Sequence, residues 1–75
     1  MAKGYIKIWC HSGELETAKE ELKKIEEVKS AELTAGEQDI IILVEASSYE
    51  EILNIVVRRI RSTKGVRNTI TNLIL

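Results

Sequence analysis

The run Asp39-Ile-Ile-Ile-Leu-Val-Glu45 decides the fold. Its interior is apolar at every position, five residues long and rich in β-branched side chains, which is a strand covered on both faces and not an amphipathic helix. Helices can supply one cover. The other has to come from outside the usual helix layer.

Reading upstream, a turn around Gly36 and Glu37 separates this run from Val28 to Ala35, where Ala31, Leu33 and Ala35 alternate with Ser30, Glu32 and Thr34. The pair is a predicted hairpin. Before it, Leu15, Ala18, Leu22 and Ile25 recur at three- and four-residue steps, the inner stripe of a helix that Ser12 is placed to cap and whose first turn carries Glu14 and Glu16. Tyr5 to His11 alternates again, with Ile6, Ile8 and Cys10 facing the core and Tyr5, Lys7, Trp9 and His11 facing away.

Reading downstream, Ser48 with Glu51 three residues on is a capping box that opens a second helix. Its expected inner face is Ile52, Leu53, Val56, Val57 and Ile60, and Gly65 ends it before a last strand from Val66 to Leu75. The order βαββαβ occupies residues 1–75 as a single domain. Two right-handed βαβ units joined by a hairpin make an α+β, ferredoxin-like arrangement: a four-stranded antiparallel sheet with both helices on one face.

That topology leaves a sheet face without helices. Strand parity assigns it Tyr5, Trp9, Ile41 and Leu43, together with Leu73, a larger apolar patch than isolated monomers usually expose. The predicted cover is a second copy, giving a dimeric α/β sandwich. At about 25 cal/mol per Å², several hundred Å² per partner supplies roughly 10 kcal/mol before the costs of association. A 75-residue chain with one cysteine has no internal disulfide to compensate for a small core, so self-association would serve stability as well.

Composition excludes several classes. Eleven Lys and Arg against twelve Asp and Glu give no global field for nucleic acid or anionic lipid. One His and one Cys cannot fill a zinc site, and Cys10 and His11 are strand neighbours that point to opposite faces, so no metal is expected. No signal-peptide pattern or membrane-length apolar run is present, and the expected location is the cytoplasm. The absence of Pro and Phe, with a Glu/Lys surface and an Ile/Val/Leu interior, follows the trend of heat-adapted proteins. No nucleophile and base pair stands out, no cofactor motif appears, and no catalytic residue is assigned.

Two features stand apart from this background. Asp39, the sole Asp, follows a glycine turn and precedes a buried strand; it either stabilises the turn or accepts from a ligand amine while turn amides meet a ligand carboxylate. Arg58, Arg59, Arg61, Lys64 and Arg67 crowd the end of the second helix, where cations also suit the helix dipole.

The segments Thr34-Ala-Gly-Glu-Gln-Asp-Ile-Ile-Ile-Leu-Val-Glu-Ala46 and Lys64-Gly-Val-Arg-Asn-Thr-Ile-Thr-Asn-Leu-Ile-Leu75 resemble the effector-binding (RAM) domain of the Lrp/AsnC transcriptional regulators. The resemblance implies an amino-acid sensor that pairs through its sheets and assembles further into octamer-like rings of dimers, without the family's helix-turn-helix reader, as in its stand-alone form. It places the ligand site on Gly36 and Asp39, which match the family's turn motif, and on Thr69 and Thr71, which match its last-strand threonines. Gln38 stands where the family commonly has an aromatic residue, and Lys64 where it has proline. The expected partners are a free amino acid or similar effector, a second copy, and full-length regulators of the family. Sequence-specific DNA contact by this chain alone is not expected, nor is membrane association.

Overall fold

In the computed structural model, which describes residues 1–75, the apolar run forms β3 (Ile40–Ala46), inside a sheet of order β2-β3-β1-β4. Its neighbours are β1 (Ala2–Cys10) and β2 (Val28–Leu33); β4 (Val66–Ile74) pairs with the far side of β1. All three pairings are antiparallel, with Ile6 opposite Ile42, Ala31 opposite Ile42 and Ile6 opposite Thr71. With α1 (Leu15–Lys23) and α2 (Tyr49–Ile55) on one face, this is the ferredoxin-like arrangement expected.

The core lies between that face and the helices. Ile6, Ile8, Ile40, Ile42 and Val44 of the two central strands are fully buried against Ala18 and Leu22 of α1 and Ile52 of α2. β3 is covered on both sides only in part: Ile41, Leu43 and Glu45, on its other face, are half-buried.

Four local readings are corrected. Ser12 does not cap α1: a tight turn, with the Glu14 amide donating to the His11 carbonyl at 3.1 Å, moves the helix start on, and Glu14 takes the cap position without a side-chain bond. Ser48 does cap α2, its Oγ accepting from the Glu51 amide at 3.1 Å. On α2 the buried residues are Ile52 and Ile55, followed by Val56 and Ile60, whereas Leu53 and Val57 are exposed, so the helix is rotated toward the Ile55 side of its apolar arc. Residues Val56–Ile60 form a π turn closed by the Arg61 amide on the Val56 carbonyl at 2.9 Å.

Leu73 is the fourth. A β-bulge beside Trp9 and Cys10 puts Val66 opposite Cys10 but Asn68 opposite Trp9, which inserts one residue and inverts the parity of the rest of β4. Leu73 therefore sits opposite Gly4 and packs against the helix-side core, and Ile70 and Ile74 take its place on the helix-free face. Tyr5, Trp9, Ile41 and Leu43 lie on that face by register.

Gly65 fixes how the two helices meet. Its φ is +93°, and a Cβ there would lie 2.9 Å from the Glu14 carbonyl oxygen, so any side chain would collide with the start of α1. The Gly65 carbonyl accepts from the His11 amide at 2.9 Å, tying the end of β1 to the start of β4. No helix is long and apolar enough to cross a membrane.

Candidate functional site: the Thr34–Asp39 turn and its surroundings

The turn between β2 and β3 is held at both ends. The Thr34 amide donates to the Asp39 carbonyl at 2.9 Å, and the Thr34 hydroxyl donates to the Gln38 carbonyl at 2.8 Å. Gly36 at the apex has φ +133°, a conformation that favours glycine.

β1 anchors the same turn from the side. The Trp9 indole N–H donates to the Glu37 carbonyl at 2.8 Å, and Lys7 Nζ reaches Glu37 Oε1 at 3.5 Å. Sequence reasoning gave Trp9 to a dimer face and missed this clamp; the available signal was that a partly covered indole N–H needs an acceptor.

Asp39 extends the β1–β3 pairing beyond its last register pair, Ile8 and Ile40. Its amide donates to the Ile8 carbonyl at 2.9 Å, and its Oδ2 accepts the Cys10 amide at 2.8 Å. One carboxylate oxygen is thus a structural acceptor, but it ties the start of β3 to β1 and makes no bond within the turn itself. The other oxygen is not engaged by any group of the chain.

Burial pushes the Cys10 thiol above the ordinary thiol range, the Asp39 carboxylate adds in the same direction and Arg67 opposes it. Cys10 is thus a buried, protonated hydrophobe on the core side, while His11 is exposed. No three His, Cys, Asp or Glu side chains converge on a point where a metal could sit.

The four predicted ligand residues do not form one pocket within the chain. Gly36 and Asp39 belong to the same turn, but Thr69 and Thr71 sit on the helix side of edge strand β4, opposite Ile8 and Ile6, with β1 between them and Asp39. None of the four lines any of the three grooves of the surface. The two largest grooves lie by the helix ends instead, and the larger is lined by part of the basic cluster.

The family described as "Lrp/AsnC ligand binding domain" matches residues 3–75. A helix-turn-helix-type transcriptional regulator from Pyrococcus furiosus is 40% identical over 52 residues, 69% of this chain and 35% of its own. A homocitrate synthase from Saccharolobus solfataricus is 38% identical over 71 residues, 93% of this chain but 15% of the enzyme. The chain thus spans only about a third, and about a seventh, of these curated relatives. Among solved structures, the leucine response regulatory protein of Mycobacterium tuberculosis superposes with a TM-score of 0.84 at 31% identity, over 99% of this chain and 50% of that one.

Proposed function

The chain belongs to the Lrp/AsnC ligand-binding domain family, and from that premise we propose that it is a non-enzymatic sensor whose subunits capture a free amino acid between them. The observation that carries this reading is the braced Thr34–Asp39 turn. It presents a carboxylate oxygen free to accept an ammonium group, next to the amides of a glycine turn suited to a carboxylate. The leucine-response name of the Mycobacterium tuberculosis relative supports an amino acid as the effector class.

The site is incomplete in one subunit, because Thr69 and Thr71 stand on another face and no groove of the single chain contains Asp39. A second copy has to close it. The helix-free face, with Tyr5, Trp9, Ile41, Leu43, Ile70 and Ile74, supplies the dimer contact, and higher assembly of such dimers brings turns and last strands of different subunits together.

Calorimetric titration of the chain with each of the twenty amino acids tests this. Asp39→Asn is the informative variant: it keeps an oxygen for the Cys10 amide but removes the charge an ammonium needs. Binding of at least one amino acid, weakened about tenfold or more in the variant, is expected. Absence of heat with all of them, or undiminished binding by Asp39→Asn, rejects the site.

A second reading is favoured by the Pyrococcus furiosus relative, in which a similar segment accompanies a DNA-reading domain. By that reading the chain co-assembles with full-length regulators of its family and dilutes their DNA-binding heads. The homocitrate synthase match places a similar segment within an enzyme, and supports a regulatory role independent of DNA. Co-purification with such a regulator and altered retardation of its DNA are expected; strict sorting into separate oligomers counts against mixed assembly.

A further inference from the structure

Charge is segregated along this chain in a way its near-zero total conceals. Residues 52–75 carry five cations and no Asp or Glu, whereas residues 1–51 carry six Lys against all twelve acidic residues. Three of the five cations, Arg58, Arg59 and Lys64, line one groove of about 350 Å³ between the end of α1 and the end of the second helix. That volume is at the small end of the range for ligand pockets.

Dipole complementarity does not account for them fully. The carbonyls of Arg58 and Arg59 already accept from side-chain hydroxyls, with Ser62 Oγ at 3.0 and 3.2 Å and Thr63 Oγ1 at 2.8 Å from the latter. Nor are the cations neutralised by neighbours. Only Arg59 has a carboxylate within 4 Å, Glu27 Oε1 at 3.9 Å. The one acid lining the groove, Glu21, is occupied by Lys24 at 2.9 Å.

The backbone supplies an independent indication. Arg58 and Arg59 sit in the π turn Val56–Ile60, a departure from α geometry that leaves the helix poorer in regular bonding and that recurs at functional sites. Ile25 is the single apolar lining residue, so the groove suits a hydrophilic guest.

We infer that this groove binds a phosphate group carried by a small molecule, with the Arg58 and Arg59 guanidiniums and the Lys64 ammonium as its ligands. Three cations against one engaged carboxylate match a dianion, and guanidinium forks match phosphate oxygens. A zwitterionic amino acid does not fit, since its ammonium would meet three cations; the site is separate from the Asp39 turn and does not rest on the amino-acid reading. Extended nucleic acid is disfavoured because Arg58 and Arg59 also border a second groove that Glu27 and Glu51 line.

The test is amide NMR titration of the full chain with pyrophosphate, citrate and chloride at constant ionic strength, followed by competition with a short DNA duplex. Pyrophosphate is expected to give saturable shifts between Arg58 and Lys64, half-complete below about 1 mM. Arg58→Gln and Lys64→Gln each weaken it about tenfold or more, Arg58→Lys less, and Arg61→Gln, outside the groove, leaves it unchanged. Non-saturating shifts, equal affinity for citrate, or equal weakening by Arg61→Gln overturns the assignment. Displacement by duplex DNA at lower phosphate concentration than pyrophosphate overturns the small-molecule class. Each variant's shifts away from the groove report its fold, and should Arg58→Gln unfold, Lys64→Gln alone decides.

Discussion

Asp39 has one carboxylate oxygen committed to the fold. Position alone allowed a turn-stabilising role or a ligand role, whereas the structure ties that oxygen to β1 by placing Oδ2 2.8 Å from the Cys10 amide. Removing that acceptor leaves a part-buried N–H at the bulge unsatisfied. Asp39→Ala is therefore expected to cost about 1–2 kcal/mol in urea unfolding, while Asp39→Asn, which keeps an oxygen there, costs well under half as much. Equal losses would mean that charge, and not the hydrogen bond, is what the fold uses. The partner residue has its own signature. Burial raises the Cys10 thiol pKa in the folded state, so the folded protein holds that proton more tightly than the unfolded chain. The associated stability is complete below the ordinary thiol pKa and is lost as pH climbs from there through the folded value. Urea midpoints compared at neutral and strongly alkaline pH are expected to fall less in Cys10→Ala than in the parent chain; parallel falls would remove Cys10 as a cause.

Among the elements, what was legible in the sequence is what local periodicity determines, and what was missed required knowledge of neighbours. The apolar run of β3, the Ser48 cap and the stripe Leu15, Ala18, Leu22, Ile25 were readable because each is set by spacing within one segment. Leu73 was not, since the bulge that flips β4 arises from its pairing with β1 and leaves no mark in an alternating string of Thr, Ile and Asn. The α2 stripe was ambiguous for a similar reason: Leu53 and Val57 flank Ile52 and Val56 on one side, Ile55 on the other, and only contact with the sheet selects Ile55. That selection is measurable. Ile52→Ala, at a fully buried site, is expected to cost about 2–5 kcal/mol, and Leu53→Ala less than about 1 kcal/mol. A similar contrast applies where the helices meet, since Gly65→Ala combines a disfavoured φ with a 2.9 Å approach to the Glu14 carbonyl. A loss of about 2–4 kcal/mol is expected, against about 1 kcal/mol for Ser48→Ala at the α2 cap. Thermal unfolding of the variants ranks them, and a Gly65→Ala protein as stable as its parent would refute the close packing of α1 on that corner.

At the scale of the whole molecule the decisive fact is an uneven coat: helices shield one sheet face, while the other carries Tyr5 at 44%, Ile70 at 48% and Ile74 at 38% exposure beside half-buried Trp9, Ile41 and Leu43. Lys7 stands in the middle of this face between Ile41 and Ile70, and its reach toward Glu37 carries its charge toward the sheet end, which leaves the aliphatic stem on the patch. A face built this way can close on a second copy without burying an unpaired ammonium. Family membership fits such assembly, and the register makes the proposed contact specific: Ile70 is on the helix-free face and Leu73 is not. Ile70→Lys would place a second cation beside Lys7 in the proposed seam. Association is expected to weaken at least about a hundredfold, roughly 3 kcal/mol, and sedimentation at micromolar concentration should then show single chains. The unfolding midpoint should lose its dependence on protein concentration in the same variant, because dimerisation contributes stability by mass action. Leu53→Lys is the counterpart on the exposed side of α2, where Tyr49, Leu53 and Val57 make a smaller apolar strip. If that substitution, and not Ile70→Lys, separates the subunits, the copies meet through their helices and the sheet face needs a different cover.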